Sequence, residues 1–490
     1  MQNFTANTEP EQAVEPEATA PRSVAPGSAD TPSALDCAPG AIATATAPAA
    51  HAVTPAAHAS PVVYTASTEP DSFTGAIFAI EGIADAAVVL NGPTGCKFYH
   101  SAISDTQFPR AVDYDPLSFS ERCFFGQPRV PATYLDGDDY IFGSAPKLEE
   151  VLEVVDSKGY SLIAVINSPG AALIGDDLDR LLGDSVSSTR HLSIESTGFS
   201  GDYGSGFQTA INKVIDLLDL PETEVRPKSV NLLGINLDQK YYDNNYYTLR
   251  ELLALCEIEV ITAFGATDTL DKITLARQAA LNVVVCPETG LDTARKLYSD
   301  WGTPYIVAES GQPIGFEAIV AFVTQITEAL GADASGAHET VDKARARAYL
   351  QLSRYSSLLG LPKGAFYSIR AAASIAYPLA RWLSSYLGMI PAAIEILSGE
   401  DGGFSERLRA YMASLQLEDV LSRPVATTPT QVVFADGDTI ATCKLMGLQT
   451  CGIEIGFPSL NYLDITRKQL YGPEGTLFLL EQVMNGLRYV

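Results

Sequence analysis

Short apolar runs recur along the chain, and amphipathic or charged stretches separate them. The runs at 86–90 and 162–167 are apolar at nearly every position, which is typical of strands buried on both faces of a parallel sheet. Further runs of this kind lie at 191–194, 230–236, 258–264, 281–287, 304–308, 389–397 and 432–435. Strands that alternate with helical segments in this way predict an α/β fold with parallel sheets.

The segments between the runs predict the helices. Phe73–Ile83 follows Asp71 and Ser72, two residue types that cap helix N-termini. The charged segment 338–357 predicts a helix that leads into the C-terminal third of the chain, and 371–387 predicts a long buried helix. At 138–143 we expect a strand that Gly143 closes, with a helix starting near Lys147.

We predict three Rossmann-like α/β domains with parallel sheets, preceded by a disordered N-terminal tail. The tail, residues 1–60, is rich in Ala, Pro, Thr and Glu and has almost no large apolar residue. Such a segment cannot bury enough surface to offset the entropy lost on ordering. The three domains are predicted at 61–228, 229–335 and 336–490, and the last contains the C-terminal Gly-Phe-Pro segment.

Composition limits the classes of partner. The chain has 490 residues, 46% of them hydrophobic, and a formal net charge of −27. So acidic a protein is not expected to bind nucleic acid or an anionic membrane surface, both of which attract Lys and Arg. The acidity either maintains solubility or attracts a basic face of a partner protein. No run reaches the ~18 unbroken apolar residues that a membrane span needs.

The cysteines and the missing motifs exclude several chemistries. Seven cysteines lie far apart and none forms a Cys-x-x-Cys pair, which predicts reduced thiols and a cytoplasmic location. The chain lacks Gly-x-x-x-x-Gly-Lys-[Ser/Thr], so we expect it to bind no nucleotide and to hydrolyse no ATP. It also lacks the Gly-x-Gly-x-x-Gly expected of a nicotinamide site.

Three short phrases concentrate the candidate chemistry between residues 71 and 177. They are Asp71-Ser-Phe-Thr-Gly-Ala, Asn91-Gly-Pro-Thr-Gly-Cys96, and Ser168-Pro169-Gly-Ala-Ala-Leu-Ile-Gly-Asp-Asp177. Cys96 and Pro169 each follow a predicted strand, so both are expected at the carboxyl edge where open α/β sheets bind ligands. From these residues alone, a reduced cysteine at an ordinary strand-to-helix turn explains Cys96 better than a ligand does.

Together the three phrases resemble the nitrogenase component 1 family, whose large subunits hold iron–sulfur clusters at a subunit interface. The closing Gly456-Phe-Pro and Gly472-x-x-Gly475 segments resemble that family too. The resemblance implies that Asp71 and Cys96 are ligands of an iron–sulfur cluster shared with a partner. Pro169 occupies the third ligand position and has no ligating side chain, so Cys123 is a weaker candidate to replace it.

The same resemblance extends to Leu281-Asn-Val-Val-Val-Cys286 and the following Gly302-x-Pro-Tyr. It implies that Cys286 is a cofactor ligand, and a plain buried thiol remains an equally good explanation. A molybdenum-type cofactor is not expected, because the family also uses a histidine near the C-terminal Gly-x-Pro motif. The corresponding stretch here, 455–464, contains none.

The function implied by the resemblance is that of an oxidoreductase subunit. It would accept electrons from an ATP-dependent iron-protein-like reductase and work beside a homologous component 1-like subunit, with a substrate pocket between the three domains. Two alternatives stay open: a scaffold for metallocluster assembly, and a non-catalytic structural subunit.

Two acidic pairs have simpler explanations than a catalytic or metal site. Asp176-Asp177 are read as residues at a helix start, and Asp436 with Asp438 as turn formers rather than cation ligands.

Overall fold

The computed structural model describes residues 69–93, 130–183, 189–195, 201–459, 464 and 466–488. The chain divides into two units, residues 1–62 and 63–490, and every described residue lies in the second. The predicted tail, Cys96 and Cys123 therefore lie outside the described residues. Across the described ranges, we find no helix with the length and apolar character needed to cross a membrane.

The first sheet contains three parallel strands in the order β1-β2-β3. Asn91 at the end of β1 pairs with Asn167 at the end of β2. All residues of these two strands are buried, as the apolar runs predict. The elements of this region are α1 (Ser72–Glu81), β1 (Ala86–Asn91), α2 (Asp139–Phe142), α3 (Ala145–Asp156), β2 (Leu162–Asn167), α4 (Leu178–Gly183) and β3 (Arg190–Ile194).

The prediction of a strand at 138–143 is wrong, because the structure has the four-residue helix α2 there. Asp136 Oδ1 accepts a hydrogen bond from the backbone N–H of Asp138 at 2.9 Å, which favours a turn over an extended chain. Lys147 binds the carboxylates of both Asp136 and Asp139 and holds that turn in place. The apolar side chains of α2 consequently point to solvent instead of joining the sheet.

The second sheet has four parallel strands in the order β5-β4-β6-β7. Leu233 at the end of β4 pairs with Val284 at the end of β6, so the segments that follow these two strands emerge side by side. The elements here are α5 (Tyr203–Leu218), β4 (Arg226–Leu233), α6 (Tyr242–Ala254), β5 (Glu259–Ala263), α7 (Leu270–Ile273), β6 (Ala279–Val284), α8 (Pro287–Trp301), β7 (Tyr305–Val307) and α9 (Phe316–Leu330).

The third sheet has parallel strands in the order β11-β10-β8-β9. The helix predicted at 371–387 ends earlier than expected, at Arg381, and a π-helical turn, Trp382–Tyr386, continues it. The elements are α10 (Ser335–Leu359), β8 (Phe366–Ala371), α11 (Ala373–Arg381), β9 (Ile390–Ile396), α12 (Phe404–Ser414), β10 (Val432–Ala435), α13 (Gly437–Leu445), β11 (Cys451–Glu454) and α14 (Gly472–Gly486).

Helices α1 and α5 pack with their backbones in close contact. A Cβ atom at Gly75 would lie 2.0 Å from the carbonyl oxygen of Tyr203, and one at Gly206 would lie 1.9 Å from that of Ser72. One apolar cluster runs from Phe73 to Leu487 and includes buried residues of all three sheets. A core shared by all three sheets does not mark where one domain ends and the next begins, so the domain limits at 228 and 335 remain a prediction.

Candidate functional site

A cleft lies where the three sheet regions meet, at the place where the sequence analysis expects a substrate pocket. It encloses about 900 Å³, open solvent at its mouth included, and this is within the usual range for small-molecule sites. Residues from each region line it: Glu69, Pro70, Tyr203 and Gly204 from the first part of the chain, Asn236, Asp238, Gln239, Cys286, Glu288, Thr289 and Gln312 from the second, and Arg370–Ala372, Ile375, Leu397, Ser398, Asp436 and Ile455–Pro458 from the third.

Cys286 lies in this cleft, two residues beyond the end of β6. Its side chain is 3% exposed, and its Sγ donates a hydrogen bond to Glu288 Oε2 at 3.1 Å. Gly234 follows β4 and lets the backbone there approach the backbone of Cys286 closely. A Cβ at position 234 would lie 2.2 Å from the carbonyl oxygen of Cys286. Burial first, and then the Glu288 carboxylate, raise the pKa of the Cys286 thiol well above its usual 9.0. The thiol is therefore protonated at neutral pH.

Glu288 connects the second region to the third. Its Oε1 accepts a hydrogen bond from the backbone N–H of Ser374 at 2.9 Å, and its Oε2 accepts one from Ser374 Oγ at 2.7 Å. Burial raises the pKa of this carboxyl group, and the hydrogen bonds from Ser374 oppose that shift. Cys286, Glu288 and Ser374 thus form one buried network at the start of α11 that can hold a proton.

The charged side chain Arg370 lies at the end of β8 and faces three carboxylates. Its Nη1 is 2.8 Å from Asp436 Oδ2, its Nε is 3.4 Å from Glu395 Oε2, and its Nη2 is 3.7 Å from Glu69 Oε1. Asp436 also caps α13, because its Oδ1 accepts from the backbone N–H of Thr439. The cap and the ion pair explain Asp436 without a bound cation, in agreement with its interpretation as a turn former.

Asp238 follows β4 and lines the same cleft, where it is partly exposed. Among the described residues, no hydrogen bond or ion pair reaches its carboxylate. Burial first, and then the negative charge of Asp436, raise the pKa of Asp238 to about 7, and Arg370 opposes this shift. The surrounding protein therefore disfavours the ionised form of the Asp238 side chain, although this side chain is partly exposed in the cleft.

Neutral polar groups lie in the lining and, in the case of Tyr471, directly behind it. Tyr203 donates to Asn236 Oδ1 at 2.9 Å, and the Tyr471 hydroxyl lies 3.0 Å from Gln239 Oε1. Gln312 Nε2 donates to Ser374 Oγ at 2.8 Å. Burial raises the pKa of both tyrosines well above 10.0, so each remains a proton donor across the physiological range.

The carboxyl ends of β1 and β2 form a second polar cluster in the first sheet. Asn91 Nδ2 donates to Asn167 Oδ1 at 2.9 Å and to Ser144 Oγ at 3.0 Å, and Thr133 Oγ1 donates to Asn91 Oδ1. Ser168 and Pro169 follow directly. The two strand ends are therefore neighbours at one edge, as the sequence predicts, although Cys96 lies outside the described residues.

Asp71 is the N-cap of α1. Its Oδ1 accepts hydrogen bonds from Thr74 N and Thr74 Oγ1, both at 3.0 Å, which confirms the predicted cap. In the described part of the chain, nothing hydrogen-bonds to its other oxygen, Oδ2, and no hydrogen bond joins Asp71 to the ends of β1 and β2. Its role as a ligand stays a prediction.

Comparison with known proteins gives the family. The family model for the nitrogenase component 1 type oxidoreductases matches residues 72–488, which is nearly the whole chain. The chain belongs to this family. This membership confirms the resemblance drawn from the three phrases and the closing segments.

Individual relatives agree with that assignment. The chain is 25% identical over 373 residues to the nitrogenase molybdenum-iron protein alpha chain of Methanococcus maripaludis, with 72% of this chain and 75% of that protein covered. It is 26% identical over 238 residues to the nitrogenase iron-molybdenum cofactor biosynthesis protein NifE of Clostridium pasteurianum. That alignment covers 48% of each protein, so the chain spans about half the length of such relatives.

A solved structure, described as nitrogenase Cp1 at pH 6.5, has the same fold. The two superpose with a TM-score of 0.65 over 85% of this chain and 91% of that one, at 15% sequence identity. At that identity the likeness supports the α/β fold with its three parallel sheets.

The cleft of this component 1-type chain does not fit a molybdenum-type cofactor. Gly456, Phe457 and Pro458 of the C-terminal motif do line it, but none of the lining residues is a histidine. Among the described residues, no three His, Cys, Asp or Glu side chains are grouped so that they could hold a metal ion. The protonated Cys286 thiol donates a hydrogen bond to the Glu288 carboxyl group, which favours the buried-thiol explanation.

Sequence reasoning missed Asp238, Glu288 and Arg370. A signal existed for Arg370, because a charged residue inside the buried run 366–371 needs partners. Asp238 comes a few residues after a strand end, which is where such sheets bind ligands. For Glu288 we find no local signal, since Pro287 and Glu288 resemble any helix start. The acidic pair Asp176-Asp177 is structural, with Asp177 capping α4 and Asp176 accepting from Ser144.

Proposed function

We propose that this chain is the redox subunit of a two-component, nitrogenase-like oxidoreductase in a reducing cytoplasm. A separate ATP-dependent iron–sulfur reductase supplies electrons, and a homologous component 1-like subunit shares an iron–sulfur cluster with the chain. The electrons reduce a substrate held in the cleft between the three sheets. The family membership of residues 72–488 supports the class of reaction.

The observation that carries the proposal is an apolar surface beside the strand ends of the first sheet. Ile141 is 74% exposed, Phe142 82% and Leu173 87%. Tyr140, which precedes Ile141, lies against Gly170, the residue after Pro169, because a Cβ at Gly170 would be 3.0 Å from the Tyr140 hydroxyl. We call Tyr140, Ile141, Phe142 and Leu173 the strand-end face. Large apolar side chains exposed together are typical of a protein interface, and a partner subunit docked here would cover the predicted cluster position.

The residues proposed to hold the shared cluster are Asp71 through Oδ2, Cys96 and, less favourably, Cys123. Thiolates and a carboxylate oxygen are suitable ligands for iron, while Pro169 contributes none. The rest of the ligands would come from the partner. When bound, the cluster supplies electron storage and transfer, with a potential that depends on burial and hydrogen bonding around its sulfurs.

In the cleft, the chain's own residues contribute protons and orientation. Reduction of an organic substrate requires a proton for each negative charge that develops. Cys286 and Glu288 hold protons to a higher pH than exposed groups would, and Ser374 fixes the Glu288 carboxyl group. Tyr203 is a further neutral donor, and the apolar side chains Ile375 and Leu397 limit water access.

The test is the iron and acid-labile sulfide content of the chain purified anaerobically, alone and co-expressed with a homologous subunit. We expect both elements in the co-purified complex and their loss in Cys96→Ala. Cys256→Ala is the matched control, since Cys256 is a buried thiol between α6 and β5 whose Sγ donates a hydrogen bond to the carbonyl of Leu252. It should keep its iron.

Two outcomes would count against the proposal. Iron and sulfide absent from every preparation would leave a cluster-free structural subunit. A cluster that loads normally and moves to an apo acceptor protein, with no electron transfer from the reductase, would indicate an assembly scaffold, the role named for the NifE relatives.

A further inference from the structure

The ionisable side chains of the cleft are unbalanced in charge. Among the described residues of the lining, Arg370 carries the one guanidinium or ammonium group, and the carboxylates of Asp436, Glu395 and Glu69 already surround it at 2.8, 3.4 and 3.7 Å. Three negative charges on one positive charge leave the third-sheet side of the cleft negative before Asp238 and Glu288 are considered.

Asp238 makes this imbalance sharper. Within the described ranges no hydrogen bond and no ion pair reaches its carboxylate. The charges that act on it are the like charge of Asp436 and the opposite charge of Arg370, which is already paired with other carboxylates. A carboxylate in such surroundings is stabilised either by a proton or by a positively charged molecule in the cleft. Every other polar group described above for the lining already has a partner, so Asp238 is the side chain left for a ligand.

The remaining lining defines what kind of cation would fit. Ile375, Leu397, Ile455 and Phe457 present apolar surface to the same space, together with Ala371 and Ala372. A bare divalent ion needs several oxygen or sulfur ligands converging on one point, and the described residues provide no such group of three. An ionic group attached to an apolar body satisfies both parts of the lining.

We propose that the cleft binds a small organic cation with an apolar body, such as an alkylammonium or sulfonium compound, and that Asp238 is its counter-ion. The inference rests on the proposed function only in that the bound cation is taken to be the substrate. An anionic ligand in the same place would face a negative surface.

The pH dependence of binding follows from the groups around Asp238. Those groups are Asp436 and Arg370 from the third sheet, Glu69 and Tyr203 from the first part of the chain, and Cys286 and Glu288 from the second sheet. Because the ionised carboxylate binds the cation, affinity should rise as the pH passes upward through about 7. Between pH 6 and pH 8 the ionised fraction of such a group changes roughly tenfold.

The experiment is calorimetric titration of the full chain, purified with any homologous subunit, with three benzyl compounds of different charge. The probes are benzyltrimethylammonium, benzyl alcohol and benzylsulfonate, which share the apolar body. We expect the cation to bind roughly tenfold or more tightly than the other two at pH 8, and to weaken roughly tenfold at pH 6. Asp238→Asn should remove both the preference and its pH dependence.

Asp342→Asn is the control, because Asp342 is a mostly exposed carboxylate on α10 that pairs only with Arg345 in the described chain. It should bind like the wild type. The proposal is overturned if benzylsulfonate binds as tightly as the cation, if Asp238→Asn keeps the cation affinity, or if millimolar benzyltrimethylammonium does not bind. The titration requires neither iron nor reductase, so a failed cluster test leaves its result standing.

Discussion

At the scale of single residues, Cys286 shows how surroundings decide what a thiol does. A thiol at a strand end that is exposed and near positive charge is reactive, whereas one buried beside a carboxylate is not. Here burial and Glu288 act in the same direction. The residue is therefore better suited to holding a proton than to attacking an electrophile.

A labelling experiment tests this directly. Glu288→Gln should speed the alkylation of Cys286 by iodoacetamide at pH 8, because it removes the negative charge that disfavours the thiolate. Each unit by which the thiol pKa falls raises the thiolate fraction about tenfold. Peptide mass spectrometry gives the rate for each cysteine, with Cys451 as internal reference. Asp292→Asn, an exposed change on the same helix, should have no effect, and an unchanged rate in Glu288→Gln would contradict the explanation.

Residues that act locally could be predicted from sequence, and residues that act through distant partners could not. Asp71 as a helix cap depends on Thr74, three positions away, and was correct. The pairing of Glu288 with Ser374 joins residues 86 positions apart, and no local pattern encodes it. Asp238 was missed for a similar reason. Its importance comes from the lack of hydrogen bonds and ion pairs to its carboxylate among the described residues, and a local sequence pattern does not show this.

At the scale of elements, the contact between α1 and α5 depends on glycines. Gly206→Ala should lower the free energy of unfolding by ~1–3 kcal/mol or more, because the added methyl group overlaps the backbone of Ser72. Urea denaturation followed by circular dichroism measures the change. Gly183→Ala is the matched control, since a Cβ there meets nothing within 4 Å. Equal stability of the two variants would show that the helices separate easily.

The strand-end face gives a prediction about association. Ile141→Asp and Phe142→Asp should weaken co-purification with a homologous subunit, since each would place a charge in an apolar interface. Neither should change the thermal midpoint of the isolated chain, because both side chains are exposed. Leu358→Asp, equally exposed on α10, is the control. Co-purification that is as sensitive to Leu358→Asp as to the other two would move the interface elsewhere.

Elements with long, regular patterns were predicted well, and short ones were not. The buried runs of β1, β2 and β6 and the charged helix α10 all form as expected. The strand expected at 138–143, with Gly143 closing it, rests on a resemblance to a family segment and not on a long regular pattern. The aspartates at the start of this segment bind their own backbone and Lys147, and those polar contacts determine the local structure instead.

At the scale of the whole molecule, a buried ion pair joins the second and third sheets. Lys240 is 1% exposed, and its Nζ lies 2.5 Å from Glu454 Oε2 and 3.0 Å from Asp464 Oδ2. Ser459 accepts from the same ammonium group at 2.9 Å. These contacts fix the C-terminal segment against the turn after β4, next to the cleft-lining residues Asp238 and Gly456.

Removing one partner should be more harmful than removing both. Lys240→Met should lower the free energy of unfolding by ~3–5 kcal/mol, since the buried Glu454 carboxylate then loses its ammonium partner and keeps the hydrogen bond from Ser459 Oγ. Adding Glu454→Gln should restore most of that loss. Chemical denaturation of the single and double variants measures the difference, and Lys343→Met, which breaks an exposed pair on α10, serves as control. A double variant no more stable than the single one would contradict this account.

The α/β class followed from the alternation of strand and helix patterns, and the family followed from the resemblance of the three phrases and the closing segments. The arrangement of the sheets did not, since strand order and the shared core depend on contacts between distant segments. The cleft was expected between the domains. Its acidic lining could not be predicted, because Glu69, Asp238 and Asp436 are far apart in sequence and lie side by side only in the fold.

The cleft is lined by residues from Glu69 to Pro458, and this has a consequence for biosynthesis. A ribosome that adds about 5–20 residues per second will have released the first two sheets long before Gly456 emerges. Until residues 455–458 have been made, that part of the lining is missing, so a chain that ends before them lacks the complete cleft.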